Sequence, residues 1–156
     1  INIEIIEKIE SGSVTQINKV GIARMKKHYS KCNGAYEVWY AEVDPDWRAA
    51  GFGPLLGDIA LEIAGPHGVI CDQTSISSDA GRLLQHYFNY VSDVFTEDLD
   101  LESCDTSHLT DEEIAMIKSG DMEQPWHQKV YYSVHQYNAG NQPTIERLRK
   151  MGKINI

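Results

Sequence analysis

Arg48-Ala49-Ala50-Gly51-Phe52-Gly53-Pro54 separates two runs of opposite character, and its reading decides the fold. Before it, Tyr36-Glu37-Val38-Trp39-Tyr40-Ala41-Glu42-Val43 is dense in β-branched and aromatic residues, the composition of a strand. After it, Leu55, Leu56, Ile59, Ala60, Ile63 and Ala64 recur at helical spacing, with Asp58 and Glu62 on the other face, until Gly65-Pro66 breaks the pattern. The local order is strand, glycine turn, helix. Gly51 and Gly53 tolerate positive φ and let a ligand approach the main chain, and Pro54 suits a first helical turn. A helix opening there aims free N–H groups and the positive end of its dipole at the turn, which makes the loop a candidate diphosphate cradle. Pro54 removes one donor from it. The competing reading is an ordinary glycine-rich turn.

The 156 residues suit a single domain, 1–156, and a 42% hydrophobic and 24% charged composition is that of an ordinary globular chain. No apolar run nears the roughly 20 residues of a membrane-spanning helix. Ile1-Asn2-Ile3-Glu4 is too acidic and short for a secretory leader, so a cytoplasmic location is expected. Cys32, Cys71 and Cys104 form no paired short spacing, which points to reduced structural thiols. His67/Cys71 and Cys104/His108 share no wider pattern, and no metal is expected.

The net charge of −9 is uneven: between Asp93 and Glu123 eleven acids face Lys118 alone, a local net of −10 that leaves +1 for the remainder. This segment, 93–123, reads as solvated surface or as a clamp for a basic amine. The negative balance, with no basic and aromatic stripe, excludes nucleic acid as the expected partner.

Along the chain, Ile3, Ile5, Ile6 and Ile9 among Glu4, Glu7 and Glu10 predict a short amphipathic helix ended by Ser11-Gly12-Ser13. Val14 to Tyr29 stays open between strand and helix; its basic Arg24-Met25-Lys26-Lys27-His28 reads as a solvated face or as a contact for cofactor phosphates. Asn33-Gly34 predicts a hairpin into the Tyr36 strand. His67 to Asp72 reads as a buried strand parallel to it. A helix follows, capped by Ser77 or Ser78, with Ala80, Leu83, Leu84, Tyr87 and Phe88 on one face. Val91 to Phe95 reads as a strand, Thr110-Asp111-Glu112-Glu113 as a capping box, Trp126 to Tyr137 as the closing strand, and 143–152 as a C-terminal helix.

The spacing Arg-x-x-Gly-x-Gly between strand and helix, led in by Val43-Asp44-Pro45-Asp46-Trp47, resembles the acyl-CoA pyrophosphate loop of the GCN5-related N-acetyltransferase (GNAT) family. The run Gly51 to Ala60 and the tail Pro143 to Lys153 look like a GNAT-like branch encoded by tailed bacteriophages. The resemblance implies an α/β (α+β) fold, a mixed sheet with flanking helices in one domain. It implies acetyl-CoA as co-substrate, no metal, and transfer of the acetyl group to an amine that it does not identify.

On this resemblance Val43 holds the thioester and its pantetheine arm, the amides of Arg48, Ala49, Ala50, Gly51, Phe52 and Gly53 hold the pyrophosphate, and Ser77 and Ser78 lie near the cofactor. The family's proton-donating tyrosine falls on Leu84, a departure. Tyr87, one turn on, is the substitute acid or else a packed core aromatic, and His86 beside it reads as a surface histidine. Glu42, Glu37 or Asp72 is the base acting through water, and Glu42 is taken for that role. Leu84 and Pro54 equally suit a non-catalytic GNAT-fold phage protein with a structural, assembly or host-interaction role, working as a homodimer or with another phage protein in host cytoplasm or virion.

Overall fold

The run from Ile1 to Glu10 is a strand and not the amphipathic helix its spacing suggests. A computed structural model, which describes residues 1–26, 34–72, 77–99, 110–119, 129–133 and 141–153, places β1 at Asn2–Ser11 and β2 at Val14–Lys26. A two-residue turn joins them, with Gly12 at φ 62, the left-handed conformation that tight hairpins favour. The isoleucines fit both periods. What decides is β2, a thirteen-residue partner whose main-chain groups pair with β1 along its whole length. A helix at 1–10 would leave those groups bare.

β3 (Tyr36–Val43) pairs antiparallel with β2, and the register steps from Arg24↔Tyr40 to Met25↔Val38, so Trp39 is an extra residue in a bulge. Helix α1 (Phe52–Ala64) then crosses to β4 (Val69–Cys71), which lies parallel to β3. α2 (Ser78–Tyr90), β5 (Val94–Asp98), α3 (Asp111–Ser119), β6 (Lys129–Ser133) and α4 (Pro143–Lys150) complete the order. The six strands form one mixed sheet in the order β1-β2-β3-β4-β6-β5. The protein is thus an α+β domain in which β6 is inserted between β4 and β5. The flanks of the expected Trp126 to Tyr137 strand lie outside the described residues.

Leu56, Ile59 and Ala60 of α1 pack on Ile3, Ala23, Met25, Val69 and Tyr131, with Ile145 of α4 beside them. Alternate residues of the inner strands, Ile70, Val130 and Tyr132, form a smaller cluster with Ala35 and Leu99 on the other face. Gly68 makes the entry to β4: its φ is +73, and a Cβ there would lie 2.6 Å from Val130 Cγ1.

Asp58 and Glu62 were expected on the solvent side of α1, and both are turned to partners. Glu62 is only 3% exposed. Its carboxylate accepts the N–H groups of Thr144 at 2.7 Å and Ile145 at 2.9 Å, and its carbonyl accepts from Gln142 Nε2 at 3.2 Å. It thereby caps α4, whose own N-cap residue, Gln142, provides no side-chain cap. At the far end Gly152 takes φ 64, and Lys153 N–H bonds Leu148 carbonyl at 2.8 Å while Gly152 N–H bonds Arg149 carbonyl at 3.0 Å, a Schellman closure. The Thr110–Glu113 capping box is present in both directions, at 3.0 and 3.2 Å.

Candidate functional site

β3 and β4 run side by side only from Tyr36↔Val69 to Val38↔Cys71. Beyond that point Trp39 to Val43 keep β2 on one side and, among the described residues, have no strand on the other. The bulge at Trp39 bends the strand where the pair parts. The wedge this leaves lies at the carboxyl end of a parallel strand, the place where open sheets receive ligands.

The loop to α1 starts at that end. Asp44 accepts the Asp46 N–H at 3.0 Å and opens a single 3-10 turn over Pro45–Trp47. Trp47 meets Phe52 edge-on, with centroids 5.8 Å apart. Arg48 folds back so that its Nε donates to the Val43 carbonyl at 3.2 Å. Ala49 at φ 62 and Gly51 at φ 88 are both left-handed, a conformation that costs a non-glycine residue about 1 kcal/mol. Gly51 caps α1, and its carbonyl accepts the Leu55 N–H at 3.1 Å.

The N–H groups of Ala49, Ala50, Gly51, Phe52 and Gly53 have no acceptor among the described residues. No acid stands in the first turn of α1. A Cβ built on Gly51 or on Gly53 meets nothing within 4 Å. Gly51 is required by its φ, whereas Gly53 is helical and required by neither backbone nor packing. Five amides without an acceptor, a helix N-terminus and open space at the Cβ positions of Gly51 and Gly53 are the elements of an anion site.

Val43 thus ends β3, Arg48 to Gly51 form the loop, and Phe52 and Gly53 open α1; the Arg48 N–H, expected in the cradle, is turned to the Pro45 carbonyl at 3.5 Å instead. Ser77 and Ser78 are not bonded to the loop: Ser77 Oγ accepts the Ala80 N–H at 3.2 Å and caps α2, and Ser78 is exposed in the first turn. Tyr87 is 6% exposed. Its hydroxyl donates to Asp58 Oδ1 at 2.7 Å and lies 3.1 Å from the Pro54 carbonyl. Burial, reinforced by the Asp58 charge, pushes the phenol far above its usual pKa. Burial raises Asp58 as well, against the lowering effect of the Tyr87 bond. Gly57 makes the room, because a Cβ there would lie 2.6 Å from the Tyr87 oxygen. Tyr87 is a strut between α2 and the first turns of α1, and it can protonate a thiolate only by giving up Asp58.

Leu84 is half-buried against the main core, and His86 is exposed, tilted against Tyr90 at 5.8 Å. Glu42 is exposed and accepts from the Tyr40 hydroxyl, which raises the pKa of that phenol. Beside it Arg24 lies 5.2 Å over the Tyr40 ring and Lys26 lies 5.3 Å over Trp39, so these two cations of the basic run stack on β3 aromatics. Glu37 stands opposite Lys26. Burial raises its pKa, the Lys26 charge opposes the rise, and Asp72 adds to it. A carboxyl shifted toward neutrality is the better proton acceptor near pH 7, which makes half-buried Glu37 a candidate base beside the exposed Glu42 that the sequence reading took for that role.

The fold and the loop define a class: a mixed α+β domain with an anion-receptive turn where a parallel strand pair parts. Comparison with protein-family models, with curated proteins and with solved structures finds no match to the chain. Among the described residues no group of three His, Cys, Asp or Glu side chains could hold a metal, and no helix is long and apolar enough to cross a membrane.

Proposed function

We propose that this chain is an acetyltransferase of the GNAT type that moves an acetyl group from acetyl-CoA to an amine in the cytoplasm. The observation that carries the reading is the set of unclaimed amides from Ala49 to Gly53 at the start of α1. They receive the diphosphate, and the open edge of Trp39 to Val43 receives the extended pantetheine arm. Glu37 lies six residues before Val43, roughly 20 Å of strand, so an arm laid along β3 brings its thioester toward that carboxylate.

Glu37 takes a proton from the ammonium, directly or through water. The free amine attacks the carbonyl carbon, the tetrahedral oxyanion collapses, the C–S bond breaks, and CoA leaves as thiolate. The acceptor is an amine, small or on a protein.

Leu84 at the family's tyrosine position and the engaged hydroxyl of Tyr87 favour a second reading, a non-catalytic phage protein of the same fold that binds CoA in a structural, assembly or host-interaction role. Calorimetric titration with acetyl-CoA and with CoA, followed by thiol release on a primary-amine panel, tests both. Saturable binding of both ligands with release on one amine supports the enzyme; binding without release supports the second reading; no binding overturns both.

A further inference from the structure

We propose that β1 pairs antiparallel with β1 of a second copy of this chain, about a two-fold axis through Ile6, so that the two sheets become one. β1 is the terminal strand of the sheet, and among the described residues no strand covers its outer side. Natural edges are blunted by proline, bulges or lysines. β1 has ten residues without proline, and its one lysine, Lys8, is held by Glu10 at 2.7 Å. The bulge of this hairpin falls on β2, where the register steps from Ile5↔Gly21 to Ile6↔Lys19, so β1 itself is regular. Ile6 is 49% and Ile9 43% exposed.

The direction of the main-chain groups limits the pairing. Ile1 and Met25 exchange both of their bonds, each at 2.9 Å. In an antiparallel ladder such pairs alternate, so Ile1, Ile3, Ile5, Glu7, Ile9 and Ser11 point to β2, whereas Asn2, Glu4, Ile6, Lys8 and Glu10 present their donors and acceptors outward. A second β1 must therefore match even positions with even ones.

The side chains then choose the register. Centred on Ile6, Glu4 faces Lys8 twice, Ile3 faces Ile9 twice, and Asn2 faces Glu10 twice. Centred on Glu4 or on Glu7, acids face acids; centred on Lys8, lysines meet; centred on Ile5, no opposite charges meet. Centred on Ile9, Lys8 faces Glu10 as well, but only residues 7–11 of each strand overlap; of the longer registers, only the one on Ile6 joins opposite charges and stacks isoleucine on isoleucine, the pairs that stabilise a ladder. Glu4 and Lys8 are exposed, and their present partners, Lys19 at 3.4 Å and Glu10, are surface ion pairs that yield readily.

Sedimentation velocity of the full chain across a concentration series tests the pairing. The expected result is a dimer that grows with concentration, is lost in Ile6→Lys with an unchanged circular dichroism spectrum, is weakened several-fold in Lys8→Glu, and is regained in Glu4→Lys/Lys8→Glu. A wild-type chain that stays monomeric, an Ile6→Lys variant that dimerises as well as wild type, or a double variant no better than Lys8→Glu overturns it.

Discussion

Glu62, in the third turn of α1, accepts the main-chain N–H of Ile145 at 2.9 Å, 83 positions further along the chain. One buried carboxylate thus substitutes for the cap that α4 lacks in its own sequence and ties that helix to the core through Ile145, itself 1% exposed. Glu62→Ala removes two charge-assisted bonds and leaves two amides uncapped, which should cost about 2–3 kcal/mol. Urea denaturation measures it, and Glu62→Gln, which keeps an acceptor, should lose less.

Asp58 should make stability fall as pH rises. Its pKa is ordinarily 3.8 and is raised in the folded protein, so the folded state holds the proton more tightly than the unfolded chain. That contribution is fully present below 3.8 and is lost as pH rises through the raised folded value. Asp58→Asn, which can still accept from Tyr87, should therefore gain stability relative to wild type between pH 4 and pH 7 in paired denaturation curves. A constant difference across that range would contradict the assignment.

Gly68 joins a positive φ to a site where Val130 Cγ1 and Tyr132 Cε1 would lie 2.6 and 2.7 Å from a new Cβ. Gly68→Ala should destabilise by about 2–4 kcal/mol, from strain and overpacking together. Thermal denaturation reads this directly.

Glu37→Gln should leave acetyl-CoA affinity unchanged and lower turnover by about 10²-fold or more, the usual contribution of a positioned base. The acidic limb of the pH–rate profile should disappear with it. Glu42→Gln should change neither.

The strand, turn and helix about Gly51 were legible because each depends on neighbours in sequence: aromatic density, helical spacing, a glycine where φ turns positive. So were a serine cap at Ser77 or Ser78, which falls on Ser77, and the Thr110–Glu113 box. The helix expected at 1–10 failed because Ile3, Ile5, Ile6 and Ile9 satisfy either period, and only pairing with β2 decides between them. Asp58 and Glu62 looked solvent-facing because their partners, Tyr87 and the amides of Thr144 and Ile145, stand 29 and more than 80 positions away. Leu61, Ile63 and Ala64 around Glu62 were the one local sign that this acid sits in an apolar setting. The raised pKa of Glu37 arises from burial and from Asp72, neither of which is written locally.

The central claim is that the open amides of Ala49 to Gly53 hold a diphosphate, and their resonances in an acetyl-CoA titration followed by ¹⁵N-resolved NMR test it most directly. Gly53→Asp serves as the control: an acid in the first turn should stabilise α1 by about 0.3–1 kcal/mol while placing a carboxylate where the anion sits. The account predicts that these five amides move most in wild type, saturably and downfield, and stay still in the folded Gly53→Asp variant. Resonances of 49–53 that remain fixed at saturating acetyl-CoA, or an equal response in the variant, would contradict it.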